Sequence, residues 1–112
     1  MPRIRVAMCY VTCGSRAQAR RLAAALLAER LVACVNLISG MESLYWWRGK
    51  VCAAREVVLI AKTRRSLVAA LTRRLVALHS YEVPCVVALD VHGGNPRYLS
   101  WVADETRPRR PG

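Results

Sequence analysis

Residues 33–63, ACVNLISGMESLYWWRGKVCAAREVVLIAKT, limit what this chain can fold into more than any other stretch. Strand-forming residues run on both sides of Arg48-Gly49, and glycine there supplies the positive φ that a two-residue hairpin turn requires. Two long strands folded back on each other at that point follow. Setting Trp47 opposite Lys50 fixes the register: Tyr45 meets Cys52, Ser43 meets Ala54 and Met41 meets Glu56, while Trp46 meets Val51 on the other face. Strands in globular proteins usually run about five or six residues. This pattern sustains roughly a dozen on each side and gathers two tryptophans and a tyrosine near its tip. A small single-layer domain cannot cover that tip alone, so something else must.

The rest of the chain supplies the elements that cover the ribbon. Residues 3–12 alternate, with Ile4, Val6, Met8 and Tyr10 on one face and Arg3, Arg5, Ala7 and Cys9 on the other, which predicts a first strand ending at Thr12-Cys13-Gly14. Ser15 with Gln18 three residues on is a capping-box pattern, and Ala19, Leu22, Ala23, Leu26 and Leu27 then recur at helical spacing to about Arg30. After Lys62-Thr63, Leu67, Leu71, Leu75 and Leu78 form the stripe of a second helix within residues 64–80. The valine-rich run from Cys85 to Val91 reads as a fourth strand, broken by Gly93-Gly94. Asn95 caps a third helix with Pro96 at its first position and Tyr98, Trp101 and Val102 on its apolar side.

This order is β-α-β-β-α-β with an added C-terminal helix, an α+β chain of the ferredoxin-like, split βαβ type. It predicts a single domain over residues 1–106, followed by a basic tail at 107–112. Two helices cover one sheet face and leave the other open, with more apolar surface than a monomer ordinarily exposes. Oligomerisation, or a ligand spanning that face, is implied.

The formal charge of +11 comes from 16 Arg and 2 Lys against 7 acids. It favours anionic partners, but arginines on the solvated sides of the helices and three more in the tail account for it. The RNA-recognition module shares this topology and is excluded by its residues: the third strand reads VVLIAKT, without the aromatics that stack bases. No specific nucleic-acid partner is expected. No apolar run reaches the roughly 18 residues of a membrane-spanning helix, so no membrane association is expected either, and a cytoplasmic location is the default. The five cysteines, Cys9, Cys13, Cys34, Cys52 and Cys85, show neither C-x-x-C pairing nor zinc-site spacing; all but Cys13 fall in predicted strands, where a reduced cysteine acts as a small apolar residue.

ACVNLI, SLYWWRGK, Glu56 with AKT six residues on, HSYEVP and YLSW resemble, in order and spacing, the CutA proteins, the divalent-cation tolerance family. The likeness covers about residues 5–106. It implies a homotrimer of ferredoxin-like subunits, similar in architecture to PII signalling proteins, in which long ribbons pack together through Tyr45, Trp46 and Trp47. Trp47, at the family's tryptophan position, is expected to anchor that assembly more than Trp46. The resemblance further implies a ligand-binding cleft between subunits lined by Lys62, Tyr45, Glu56, His79 and Tyr81. The function that the resemblance implies is tolerance of, or response to, divalent metals such as copper, through signalling or binding. No reaction is established for the family, so no catalytic residue and no certain cofactor are assigned.

The chain departs from the family pattern in having Ser80 in place of Pro, Cys85 in place of Glu, and Gly14-Ser15-Arg16 in place of acidic residues. His79 and Cys85 therefore remain as the soft ligands for copper or another divalent cation. The alternative is a trimeric enzyme or binding protein that takes a small anionic metabolite in the same cleft. Arg16, Arg64 and Arg65 each stand at a helix start where a cation opposes the dipole, which hints at an anion nearby, although solvated arginines in an Arg-rich chain are the simpler account.

Overall fold

The computed structural model describes residues 5–106, so the tail at 107–112 and the predicted strand residues Arg3 and Ile4 lie outside it. In chain order the elements are β1 (Val6–Cys13), α1 (Arg16–Ala28), β2 (Cys34–Trp47), β3 (Lys50–Arg64), a 3₁₀ turn (Arg65–Leu67), α2 (Val68–Leu78), β4 (Val86–Asp90) and α3 (Pro96–Glu105). The four strands form one antiparallel sheet in the order β2-β3-β1-β4, the ferredoxin-like arrangement.

Every ribbon pairing expected from the turn is present, from Trp47↔Lys50 through Tyr45↔Cys52 to Met41↔Glu56. Both turn residues adopt positive φ, Arg48 at 50° and Gly49 at 78°, the signature of a type I′ turn whose twist matches the strands. The register slips once, between Ile38 and Met41, where Ser39 and Gly40 bulge and Gly40 takes a φ of 86°. Strand β1 ends at the Cys13↔Val57 pair, so the seven pairs from Met41↔Glu56 to Trp47↔Lys50 overhang the sheet as a bare two-stranded arm. The arm accounts for a radius of gyration of 15.0 Å, against about 13 Å for a compact domain of this length.

The core lies between the sheet and helices α1 and α2. Cys9, Val11 and Cys13 of β1 and Val57, Leu59 and Ala61 of β3 meet Leu22 and Leu26 of α1 and Leu71 and Leu75 of α2. Cys13 is thus a strand residue with no exposed surface, whereas Cys85 falls just before β4; the sequence assignment of these two is reversed. Helix α2 begins at Val68, later than the leucine stripe predicts, because Arg64 remains extended and pairs with Val6. Leu67 is only half-buried and Leu78 is exposed. Helix α3, capped by the Asn95 side chain and started by Pro96, seals Val102 and Ala103 beneath it but leaves Tyr98 and Trp101, expected with Val102 on its apolar side, exposed.

The three helix-start arginines all have protein partners. Arg16 donates to the Ser39 hydroxyl at 3.0 Å, Arg64 to the Ala103 carbonyl at 2.8 Å, and Arg65 pairs with Asp90 at 3.1 Å. These contacts explain their positions without a bound anion.

Candidate functional site

Three of the cleft residues expected from sequence meet where the arm leaves the sheet. Glu56 occupies the first arm pair and is only 8% exposed. The Tyr81 hydroxyl donates to its Oε2 at 2.9 Å. His79 follows α2 directly, and its backbone N–H donates to the Leu75 carbonyl, closing the helix. Its ring packs against that of Tyr81, centroids 4.6 Å apart.

The histidine tautomer follows from its partners. Nε2 lies 2.8 Å from the Thr12 carbonyl oxygen, which can only accept, so Nε2 carries the proton. Nδ1 then accepts from the Tyr81 backbone N–H at 3.1 Å. Both nitrogens of a buried neutral imidazole are thereby engaged, and a metal on either one must displace a hydrogen bond. The ring locks the 79–81 segment against the end of β1 and so aims the tyrosine at Glu56.

The start of α1 completes the cradle. Ser15 caps the helix by accepting from the Gln18 N–H, but the Gln18 side chain does not return to Ser15 as a capping box would. Its Oε1 accepts from Gly14 N–H at 3.1 Å and its Nε2 donates to the Ser80 hydroxyl at 2.6 Å. A side chain at Gly14 would bring its Cβ to 3.2 Å from the Tyr81 hydroxyl, so glycine there makes room for the phenol. Gln18, Ser80 and Gly14 were not legible as site residues. The signal lay in Gln18 being buried despite its amide, which sequence spacing alone assigns to a cap.

Electrostatics keep the Tyr81 hydroxyl and the Cys13 thiol protonated. Burial, then the hydrogen bond to Glu56 and the charges of Glu56, Tyr45 and Cys13, push the Tyr81 hydroxyl up to about 12. Burial and the Glu56 charge push the Cys13 thiol up to about 11, which makes it inert as a nucleophile at neutral pH. Tyr81 is a fixed donor and Glu56 its acceptor.

The remaining expected residues do not join the cluster equally. Tyr45 is close enough to Tyr81 to influence it electrostatically. Lys62 stands six residues along β3 from Glu56, about 20 Å at strand spacing, with its ammonium 5.4 Å over the ring of Tyr98. Cys85 is a half-buried free thiol just beyond the Val11↔Val86 pair. Among the described residues no group of three or more His, Cys, Asp or Glu side chains is placed to hold a metal ion. Also among them, no helix is long and apolar enough to cross a membrane.

The profile of the family described as CutA1 divalent ion tolerance protein matches residues 7–105. A curated relative from Oryza sativa, "Protein CutA 1, chloroplastic", is 49% identical over 98 residues, which are 88% of this chain and 55% of the relative. This chain spans about half the length of the curated plant and mouse relatives it matches. The crystal structure of CutA1 from Oryza sativa superposes with a TM-score of 0.90 at 46% identity, covering 93% of this chain and 95% of that one. The periplasmic divalent cation tolerance protein CutA from Archaeoglobus fulgidus superposes with a TM-score of 0.88 at 35% identity, covering 91% and 99%.

Proposed function

This chain belongs to the CutA1 divalent ion tolerance family, and from that premise we propose that it works as a homotrimeric, PII-like binding protein in the response to divalent metal ions, without catalysis. The observation that carries this reading is the bare arm. Its tip exposes Leu44 at 69%, Trp46 at 74% and Val51 at 62%, together with parts of Tyr45 and Trp47, a run of apolar surface that a folded chain ordinarily buries. Packing against the arms of two further copies, through Tyr45, Trp46 and Trp47, removes that exposure.

Assembly also supplies what one chain lacks. Glu56, His79 and Tyr81 lie beside the middle of β3 with Tyr45 on the arm beyond, and Lys62 stands near the strand's C-terminal end about 20 Å from Glu56 at strand spacing, so a cleft holding all five draws on more than one subunit. Copper is the divalent cation this reading tests first, with Cys85 and His79 as its soft ligands; His79 must give up a hydrogen bond to serve, so the affinity is low. All five cysteines are unpaired, which fits a reducing compartment such as the cytoplasm. A second reading, a small anion in the same cleft, is favoured by one specific feature: among the described residues no carboxylate pairs with Lys62.

Light scattering after size exclusion, with calorimetric titration of copper, zinc and cobalt into the same sample, tests the proposal. The expected results are a mass three times the 12.5 kDa chain and weak binding that falls further in Cys85→Ala and His79→Ala. A monomer mass would overturn the assembly. A submicromolar zinc or cobalt site that survives both substitutions would overturn the ligand assignment.

A further inference from the structure

Lys62 sits on β3 between two neutral neighbours, Met8 on β1 and Cys34 on β2. It is half-buried, and among the described residues no carboxylate pairs with it. What it has instead is the face of Tyr98, within cation–π range but bringing no net negative charge.

Tyr98 is itself one half of an aromatic pair. Its ring centroid lies 5.6 Å from that of Trp101, with the planes tilted by 34°. The two residues are three apart and so share one flank of α3. They are 38% and 43% exposed although Val102 and Ala103 on the same helix are sealed. The helix that carries them is pinned near its C-terminal end, to the sheet by the Arg64–Ala103 hydrogen bond and to Arg30 through Glu105 at 2.7 Å. A cation that no described carboxylate pairs with and two half-exposed rings thus stand side by side.

We propose that Lys62, Tyr98 and Trp101 form a binding site for a planar aromatic anion, whose ring stacks on the aromatic pair while its carboxylate or phosphate meets the Lys62 ammonium. This rests on the anion reading of the cleft and adds its chemical class. A small inorganic anion is satisfied by converging N–H and O–H donors, whereas the surface beside Lys62 is π-face. Such a face stacks heteroaromatic bases and simple aryl rings alike. The ring system and the anionic group therefore both contribute, and neither alone suffices.

The test titrates the full chain calorimetrically with adenosine monophosphate and indole-3-carboxylate, and with adenosine, indole, inorganic phosphate and acetate as controls, light scattering running in parallel. At least one aromatic anion binds saturably, with its neutral parent ring and its bare anion each at least about tenfold weaker. Lys62→Ala and Trp101→Leu each lose about tenfold or more while mass and melting temperature hold. Whether the phosphate or the carboxylate probe binds more tightly identifies the source of the anion. A trimer that takes neither aromatic anion at millimolar concentration overturns the inference, as does phosphate binding equally well or binding that survives Lys62→Ala. A Lys62→Ala protein of lower mass also overturns it, by assigning the ammonium to a carboxylate of a second copy. A monomeric wild type would sink the trimer reading alone, because the titration still decides this site.

Discussion

Replacing the two arm tryptophans one at a time separates them by how much surface each has left to bury. Trp46 is 74% exposed in the lone subunit and Trp47 is 39% exposed, the latter partly covered by the Arg48 guanidinium 5.5 Å from its ring centroid. With about 250 Å² for a whole tryptophan, association can remove about 180 Å² at Trp46 and about 100 Å² at Trp47. At about 25 cal/mol per Å² these areas correspond to about 4–5 and about 2–3 kcal/mol per subunit, as upper values. The alternation of the strand places Leu44 and Val51 on the same face as Trp46, and both are largely exposed, so that face is the larger unburied patch. These areas argue for the opposite order to the one expected from sequence, in which Trp47 is the main anchor, and the two substitutions decide between them. Trp46→Ala should shift the protein toward monomer at low micromolar concentration while Trp47→Ala still runs as the assembled species. Light scattering across a dilution series reads this directly. A Trp46→Ala protein that keeps the wild-type mass under dilution, or a Trp47→Ala protein that dissociates first, refutes the reasoning.

Stability should fall on the alkaline side, because the folded state holds the protons of Tyr81 and Cys13 at about 12 and about 11 against ordinary values of 10.0 and 9.0. The unfolded chain releases them first, so this contribution is whole below about pH 9 and is lost as pH rises toward the folded values. Melting scans in reductant should show the decline, and a Cys13→Ala/Tyr81→Phe protein should show a shallower one. Arg48→Asn should be neutral or stabilising by about 0.5–1 kcal/mol, since asparagine tolerates positive φ better. Little is lost with the highly exposed Arg48–Glu82 pair, and urea midpoints check the sign. Tyr81→Phe should cost about 1.5–3 kcal/mol by leaving a buried carboxylate without its donor. Glu82→Ala should cost no more than about 0.5 kcal/mol, and hydrogen exchange over residues 41–56 should rise in the first variant only.

Register was legible because the side-chain period of a strand is two and a single turn position propagates through every pair; Met41↔Glu56 follows from Arg48-Gly49. The same logic misses the bulge, since Ser39-Gly40 reads as strand until its partner strand shows one residue too few. Helix α2 was placed early because Arg64 and Arg65 carry no local signal against helix; the pairing of Arg64 with Val6, a tertiary fact, holds it extended. Glu56, His79 and Tyr81 could be named from the family likeness, yet the order in which they bond could not. It depends on the Thr12 carbonyl, a backbone group that no residue type announces. Tyr98 and Trp101 belong to the apolar side of α3 yet stay exposed, because helical periodicity identifies an apolar stripe and not how much of it a neighbouring element covers.

The cluster's place in the fold connects the cleft to assembly. Met41↔Glu56 is the first ribbon pair beyond the last residue of β1 and beyond the bulge, so the arm has lost its third strand where Tyr81 grips it. Segment 79–82 holds the arm twice, through Tyr81 at the base and Glu82 at the tip. The base contact is shielded and charge-assisted, while the tip contact stands in water and is worth little. The direction of the arm is therefore set at its base, by a chain of contacts running from the Thr12 carbonyl through His79 and Tyr81 to Glu56. A ligand that takes over any member of that chain competes with the bonds that aim the arm, and in the proposed trimer it therefore biases how the arms of neighbouring subunits meet.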